Sequence, residues 1–192
     1  MNERVKEITK DAIFIALLTA IIILMKYFFF MLESMLLLVI SLFIGVRYHK
    51  EKISRMLIVS ISLFLISFLY FDILSILIYI LPGIILGILS HYFLKIILNV
   101  PYYLSSISIY FLVHTAVEIM YSRMLLNLNF TDYLLTGMEF PDAWVSNLGF
   151  NGLLLIFLGY NLIMAILESI IIRKGVFLFE ILKDKKKHKN NI

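Results

Sequence analysis

The chain has 192 residues, of which 62% are hydrophobic and 16% charged, and its mean hydropathy is +0.99. Because a soluble domain is only about half apolar, this composition excludes that class and indicates an integral membrane protein that crosses the bilayer several times. The sequence contains no cysteine, which excludes disulfides, thiol nucleophiles and thiolate metal sites.

Charged and turn residues divide the sequence into six apolar segments, each predicted to be one helical span of about 20 residues. The first follows a basic N-terminal stretch without a convincing signal-peptide cleavage site, so we expect it to be retained as a helix. The segments are 12–25, 28–46, 56–70, 73–94, 103–125 and 152–172. Five spans remain an alternative, because the break between the first two segments is short.

The basic residues predict the topology, since cytoplasmic connections carry the excess of Lys and Arg. Of 17 such residues, only Lys26 and Arg123 fall on the connections of the other side. We therefore expect an all-α integral membrane protein, a compact bundle of about six transmembrane helices with both termini cytoplasmic. The expected location is the cell membrane of a bacterium or archaeon.

Two connected regions are predicted, a single transmembrane helical domain over 1–175 and a tail over 176–192. The tail has a short apolar face followed by lysines, which suits an interfacial helix held by the lipid bilayer. Topology accounts for the remaining basic residues, so we expect no nucleic acid as a partner.

The longest connection, 127–150, is predicted to lie outside and carries Trp144, the only tryptophan. Its apolar residues indicate a loop folded onto the membrane face, either as a lid over a ligand site or as an interfacial aromatic anchor.

Small residues predict two helix faces where another backbone can approach closely. Ala12, Ala16 and Ala20 recur every four residues in "DAIFIALLTA", and Gly83 and Gly87 do so in "PGIILGILSHYF". Each face is a candidate partner interface, and internal packing is the alternative for both.

The alanine ridge behind a short basic N-terminus resembles the S components, the substrate-binding subunits of energy-coupling factor (ECF) transporters. The stretch from "LFIGVRYHKEKISR" to "LPGIILGILSHYFLK" is also similar to the YybS-like group of bacterial membrane proteins. The resemblance implies a six-helix protein that binds a small-molecule solute from outside, with the first-helix alanines contacting a transmembrane coupling subunit that works with an ATPase module. In many S components the gate is an outer loop between helices one and two. That connection is nearly absent here, and the long outer loop lies between helices five and six.

A second resemblance, to the rod-shape protein MreD, is carried by "YFDILS" before a helix and by Tyr160 and Asn161 in the final span. It implies a non-catalytic membrane scaffold that recruits partner helices.

The apolar run "FLVHTAVEIM" contains His114 and Glu118, four residues apart. Residues at this spacing share a helix face, and Tyr110 one turn before them extends a polar stripe that we expect to face the bundle interior. Ionisable residues at bilayer depth indicate function by default. The stripe, with Trp144, is a candidate ligand-binding site, and a structural pair between helices is the alternative.

An enzyme is not expected. His114 and Glu118 supply only two metal ligands, so no metal site is predicted, and Glu51 with Arg55 reads as a surface ion pair at i,i+4 spacing. No Gly-rich phosphate loop occurs in the sequence, so we expect no cofactor and an energy source on another chain.

Glu168, in "ILESIII", lies five residues before Arg173. We expect basic residues at the inner membrane face to neutralise it, and no chemistry is assigned to it.

Overall fold

The computed structural model describes residues 3–28, 35–96, 98–137 and 142–189, with side chains described over 5–27, 35–96, 98–135 and 148–182. These residues form helices and no strand, which confirms the all-helical prediction for this part of the chain. The helices are α1 (Glu3–Phe28), α2 (Met35–Tyr48), α3 (Ile53–Ser67), α4 (Ile73–Phe93), α5 (Asn99–Met124), α6 (Phe130–Asp132, continued by a π turn over Tyr133–Gly137) and α7 (Asp142–Lys189).

Four helical stretches in the described residues are long and apolar enough to cross a membrane: Val5–Tyr27, Ile73–Phe93, Asn99–Met124 and Leu148–Leu182. The helices α2 and α3 have 14 and 15 residues. At about 1.5 Å per residue each is roughly 22 Å long, shorter than the hydrocarbon core of about 30 Å. Two of the six predicted spans are therefore shorter than a full crossing requires.

The chain divides into two compact units, Met1–Ile97 with Ile171–Ile192, and Leu98–Ile170. We call them unit 1 and unit 2. This division differs from the predicted single domain over 1–175 with a separate tail over 176–192. Residues after 175 continue α7 to Lys189, because this stretch contains no proline or glycine and is rich in Lys, which forms helices well.

The boundary between α3 and α4 is set by Asp72, which caps α4. Its carboxylate accepts a hydrogen bond from the backbone N–H of Ser75 at 2.8 Å. A π turn follows over Ile76–Ile80, just before Pro82. The Pro82 ring would clash with the carbonyl of Ile78 in a regular α-helix, and a widened turn relieves that clash.

The close packing of α2 against α4 depends on two glycines. A Cβ atom added to Gly83 would lie 2.9 Å from Ile40, and one added to Gly87 would lie 2.8 Å from Ile44. The glycines let the two helices approach until the isoleucine side chains fill the space, and all four residues are buried.

The C-terminal end of α1 is tied to the start of α4. Lys26 Nζ lies 2.7 Å from a carboxylate oxygen of Asp72, and the hydroxyl of Tyr27 donates to the backbone carbonyl of Tyr70 at 3.0 Å.

The N-terminal half of α1 is tied to the end of α2 and the start of α3. Tyr48 donates to the Asp11 carboxylate at 2.9 Å, and Arg55 donates to both of its oxygens at 2.7 and 3.0 Å. Near the end of α4, His91 Nδ1 lies 3.2 Å from the carbonyl of Tyr48. Asp11 and Lys26 are separated by about 22 Å along α1. Both α3 and α4 therefore run between the same two ends of unit 1.

In unit 2, Gly149 interrupts the helical backbone of α7. Its φ of 58° and ψ of −172° are not helical, and this left-handed φ is one that glycine adopts readily and other residues rarely. The preceding residues of α7 thus leave the helix axis at this point.

Candidate functional site

His114 lies in the middle of α5 and forms a hydrogen bond with Glu168 on α7. The His114 Nε2 atom is 2.8 Å from Glu168 Oε2, and the side chains are 7% and 0% exposed. His114 is about 22 Å from the start of α5 along the helix axis, at 1.5 Å per residue. Two ionisable groups are therefore paired deep inside a helix that is long enough to span a membrane.

The sequence places this pair on matching helix faces. On α5 the residues Tyr102, Ser106, Tyr110 and His114 recur every four positions, and all are buried. On α7 a second buried face follows the helical period and consists of Asn161, Ala165 and Glu168. Both faces carry polar groups inward, where protein partners replace water.

Two further hydrogen bonds join these helices within unit 2. Tyr102 donates its hydroxyl to the carbonyl of Ser169 at 2.9 Å, and the amide of Asn161 donates to the Thr115 hydroxyl at 3.5 Å. The His114 and Glu168 side chains are thus part of a cross-linked helix pair.

Glu118 is half-buried and has its own partner, the hydroxyl of Tyr133, which donates to the carboxylate at 2.7 Å. His114 and Glu118 share a face of α5 as predicted from their spacing, but each bonds to a different element. The predicted stripe is therefore divided into an inner pair with α7 and an outer pair with α6.

The segment that carries Tyr133 is held by an apolar cluster. Tyr133, Leu134 and Phe157 are buried together, and the ring of Phe130 packs edge-on against that of Phe157 at 5.3 Å between centroids. This packing holds α6 against α5 and α7. Trp144, the other candidate in the predicted outer loop, has a side chain outside the described part of the structure.

The alanine ridge of α1 faces away from unit 1. Ala12, Ala16 and Ala20 are exposed, whereas Leu18 and Ile22 on the opposite side of the helix are buried. The ridge is therefore open to lipid or to another helix.

The prediction of a partner interface at Gly83 and Gly87 needs correction. Both are buried, and the space beside them is filled by Ile40 and Ile44 of α2. This small-residue face packs internally.

Glu168, to which the sequence assigned no chemistry, is the partner of His114. The seven-residue spacing of Asn161 and Glu168 in an apolar run was the available signal, since it places both on one inward face.

Among the described residues, no group of three or more His, Cys, Asp or Glu side chains is arranged to hold a metal ion. No protein-family model, curated protein or solved structure matches the chain.

Proposed function

We propose that this chain is a membrane-embedded subunit of a transporter that binds a small solute and depends on a partner module for energy. The observation that carries the proposal is the polar interior of unit 2, where Glu168, His114 and Glu118 occupy helices long enough to span a membrane. Such groups are costly at bilayer depth, and they are usually kept for substrate or ion recognition.

Glu118 is the residue that we assign to direct solute contact. Its carboxylate is half-buried and accepts a hydrogen bond from a single tyrosine hydroxyl, which a solute amine or hydroxyl can replace. The deeper pair of His114 and Glu168 is nearly inaccessible. It is placed to orient the helices around the site.

The proposal includes six crossings with both termini in the cytoplasm. The contacts of Asp11 and Lys26 at opposite ends of unit 1 support it, because α3 and α4 each run the full distance between them. The short helices α2 and α3 would then cross a locally thinned bilayer, or the residues that flank each helix would reach the interface.

The partner module is proposed from the resemblance to S components of ECF transporters. In that resemblance Ala12, Ala16 and Ala20 contact a transmembrane coupling subunit, which acts with an ATPase module. Their exposure on α1 supports this role, since small side chains permit close approach of another helix.

A solute screen tests the proposal. The protein purified in detergent would be heated with a panel of small cationic and hydroxylated solutes. At 100 times its Kd a ligand stabilises the folded state by about 2.7 kcal/mol, which raises the Tm by roughly 5 to 10 °C for a chain of this size. We expect such a shift for the wild type and none for Glu118→Gln.

Asp132→Asn is the matched control, because it removes one negative charge from an exposed position of unit 2 and should keep the shift. A panel that stabilises neither the wild type nor the control, with no solute copurifying in native mass spectrometry, would contradict the proposal.

A scaffold similar to MreD is the second candidate, and the exposed alanine ridge favours it because a scaffold needs partner helices but no solute. Ala16→Leu should weaken a partner complex by forcing the helices apart, in either function. The scaffold function is indicated if the protein binds no solute but forms a partner complex that Ala16→Leu disrupts. Ala116→Leu, at an exposed alanine of α5, controls for added bulk.

A further inference from the structure

Unit 1 contains an apolar cavity that continues into a charged groove. The cavity, of about 360 Å³, is lined by Phe14, Leu42, Phe43, Val46, Arg47, Gly175 and Phe179. The groove, of about 630 Å³, shares Phe14, Arg47 and Phe179 with it and adds Glu7, Lys10, Ile13, Leu17, Glu51, Arg55 and Leu182. Both volumes fall in the range of ligand sites, about 300 to 1,000 Å³.

The groove borders the face of α1 that meets lipid. Ile13 and Leu17 are 55% and 60% exposed, and both belong to the candidate span Val5–Tyr27. An occupant reaching this site from the bilayer must therefore have an apolar part for the cavity and a charged part for the groove.

The cations of the groove differ in how firmly they are held. Arg55 is engaged by two short hydrogen bonds from its guanidinium to Asp11 and a third at 3.1 Å to Glu51. Arg47 lies at longer distances, 3.8 Å from Asp11 and 3.7 Å from Glu51. Lys10 is exposed and has no ion pair with another described side chain. Arg47 and Lys10 are therefore the groups that a phosphate can engage without breaking a strong contact.

The rim of the groove also carries carboxylates, and these determine which lipid head group fits. Glu7 is 60% exposed, and its carboxylate is 3.5 Å from Arg55. Glu51 is 31% exposed and is shared between Arg47 and Arg55. A rim with carboxylates beside its cations disfavours a purely anionic head group and complements one that has a phosphate and an ammonium side by side.

We propose that this site binds one phosphatidylethanolamine molecule from the bilayer. Its phosphate lies between Arg47 and Lys10, its primary ammonium donates hydrogen bonds to Glu7 or Glu51, and one acyl chain enters the apolar cavity. A primary ammonium has three N–H donors for these carboxylates, whereas the quaternary ammonium of phosphatidylcholine has none and phosphatidylglycerol has no cation. The site lies within unit 1 and is independent of the proposed solute site.

Lipid retention measured by native mass spectrometry tests the proposal. Full-length protein in detergent would be mixed with equal concentrations of phosphatidylethanolamine, phosphatidylcholine and phosphatidylglycerol. We expect one phosphatidylethanolamine to be retained preferentially. Arg47→Gln should weaken the apparent affinity for phosphatidylethanolamine about fivefold. A change of this size corresponds to the loss of one basic residue near a lipid head group.

A second variant, Phe43→Trp, adds bulk at the edge of the cavity from a side chain that is already 38% exposed, and should also lower retention. Lys52→Gln removes one exposed charge outside the groove, and Phe68→Trp makes the same ring change just after α3, at a residue that is 48% exposed. Both controls should retain lipid as the wild type does. Equal retention of the three lipids, or wild-type retention in both Arg47→Gln and Phe43→Trp, would overturn the proposal.

Discussion

Glu168 is completely buried, and its carboxylate lies 2.8 Å from the His114 ring. In a bilayer neither group has water to replace a lost partner, so the loss of this hydrogen bond is not compensated by solvent. A buried pair of this kind adds little stability compared with apolar residues, yet removing one member is costly because the other is left unsatisfied. Its role is to fix how α5 faces α7.

His114→Ala should therefore lower stability more than Glu168→Gln does. The alanine removes the hydrogen bond between the His114 ring and the buried Glu168 carboxyl, at a cost of about 1 to 3 kcal/mol, whereas glutamine keeps the size of the side chain and can still hydrogen-bond to the ring. The Tm in detergent should fall by roughly 2 to 4 °C per kcal/mol.

The double variant His114→Ala with Glu168→Ala completes the cycle. A loss smaller than the sum of the two alanine single variants, by about 0.5 to 3 kcal/mol, is expected for residues in contact. Strictly additive losses would show that the pair is not coupled in the folded protein.

The outer contact of Glu118 gives a separate prediction. Tyr133→Phe removes the hydroxyl that bonds to Glu118 and keeps the ring in its apolar cluster, so the Tm should fall by the equivalent of about 0.5 to 1.5 kcal/mol. If the proposed solute replaces this hydroxyl, the variant should bind it at least as tightly as the wild type. Loss of solute binding in Tyr133→Phe would show that the hydroxyl is needed for binding and is not what the solute replaces.

At the residue scale the sequence predicted which ionisable side chains lie inside apolar helices, but not which residues they bond to. His114 and Glu118 stand out because ionisable groups are rare in apolar helices, and their inward direction follows from the helical period. Their partners Glu168 and Tyr133 are 54 and 15 residues away along the chain. Pairing over such separations depends on how helices pack, which no local pattern encodes.

Among the elements, α4 was predicted well because its start has a local chemical cause. Asp72 caps α4, so its position in the sequence marks where that helix begins. The end of α3 at Ser67 has no such marker. The span predicted over 152–172 and the interfacial helix predicted in the tail belong to one helix, α7, which continues to Lys189. Hydropathy marks the apolar residues of a span and does not mark where a helix ends. Lysine and glutamate continue a helix into water as readily as leucine does in a core.

The cap predicts a difference between two substitutions at Asp72. Asp72→Ala removes the side-chain acceptor for Ser75 and should cost about 1 kcal/mol, whereas Asp72→Asn keeps a good cap and should cost only a few tenths. The comparison of Tm values at neutral pH in detergent checks this. Equal losses for the two variants would mean that the charge, not the cap, is what matters.

The Asp72 carboxyl also makes the stability of the folded protein depend on pH. Partial burial raises the pKa of Asp72, but hydrogen bonds from Lys26 and Ser75 outweigh it, so the pKa lies well below its ordinary value. A carboxyl with a lowered pKa stabilises the folded state above its unfolded pKa of about 3.9, and this contribution is lost as the pH falls below that value. Because the side chain is 56% exposed, the effect is small, and Asp72→Asn should abolish it.

The contact between α2 and α4 predicts a strong effect of a single methyl group. Gly87→Ala would place its Cβ 2.8 Å from the Cβ of Ile44, a branched carbon that cannot rotate away, and overpacking of this kind costs about 1 to 3 kcal/mol. Gly159→Ala is the control, since its Cβ would have no described neighbour within 4 Å. It should be neutral or slightly stabilising, because alanine favours a helix over glycine. Similar Tm values for the two variants would contradict the close approach.

At the scale of the whole molecule, composition and the distribution of basic residues predicted a helical membrane protein, and the structure adds distances within unit 1. The contacts of Asp11 with Tyr48 and Arg55 mark one end of α1, and the contact of Lys26 with Asp72 marks the other. Most basic residues of unit 1 lie near the first end. In the proposed topology the positive-inside tendency places that end in the cytoplasm, and α3, with only 15 residues, would then cross to the other side.

Cysteine labelling tests this topology, and the chain has no native cysteine to interfere. Single cysteines at Lys50, in the connection before α3, and at Leu69, in the turn after it, are both at exposed positions. In intact cells a membrane-impermeant thiol reagent should label position 69 and a third cysteine at Asp132, and it should reach position 50 only after permeabilisation. Labelling of both 50 and 69 from outside would show that α3 does not cross the bilayer. Labelling of position 50 alone would show that unit 1 has the opposite orientation, with the groove of Arg47 and Lys10 on the outer face. The excess of basic residues would then have no topological explanation.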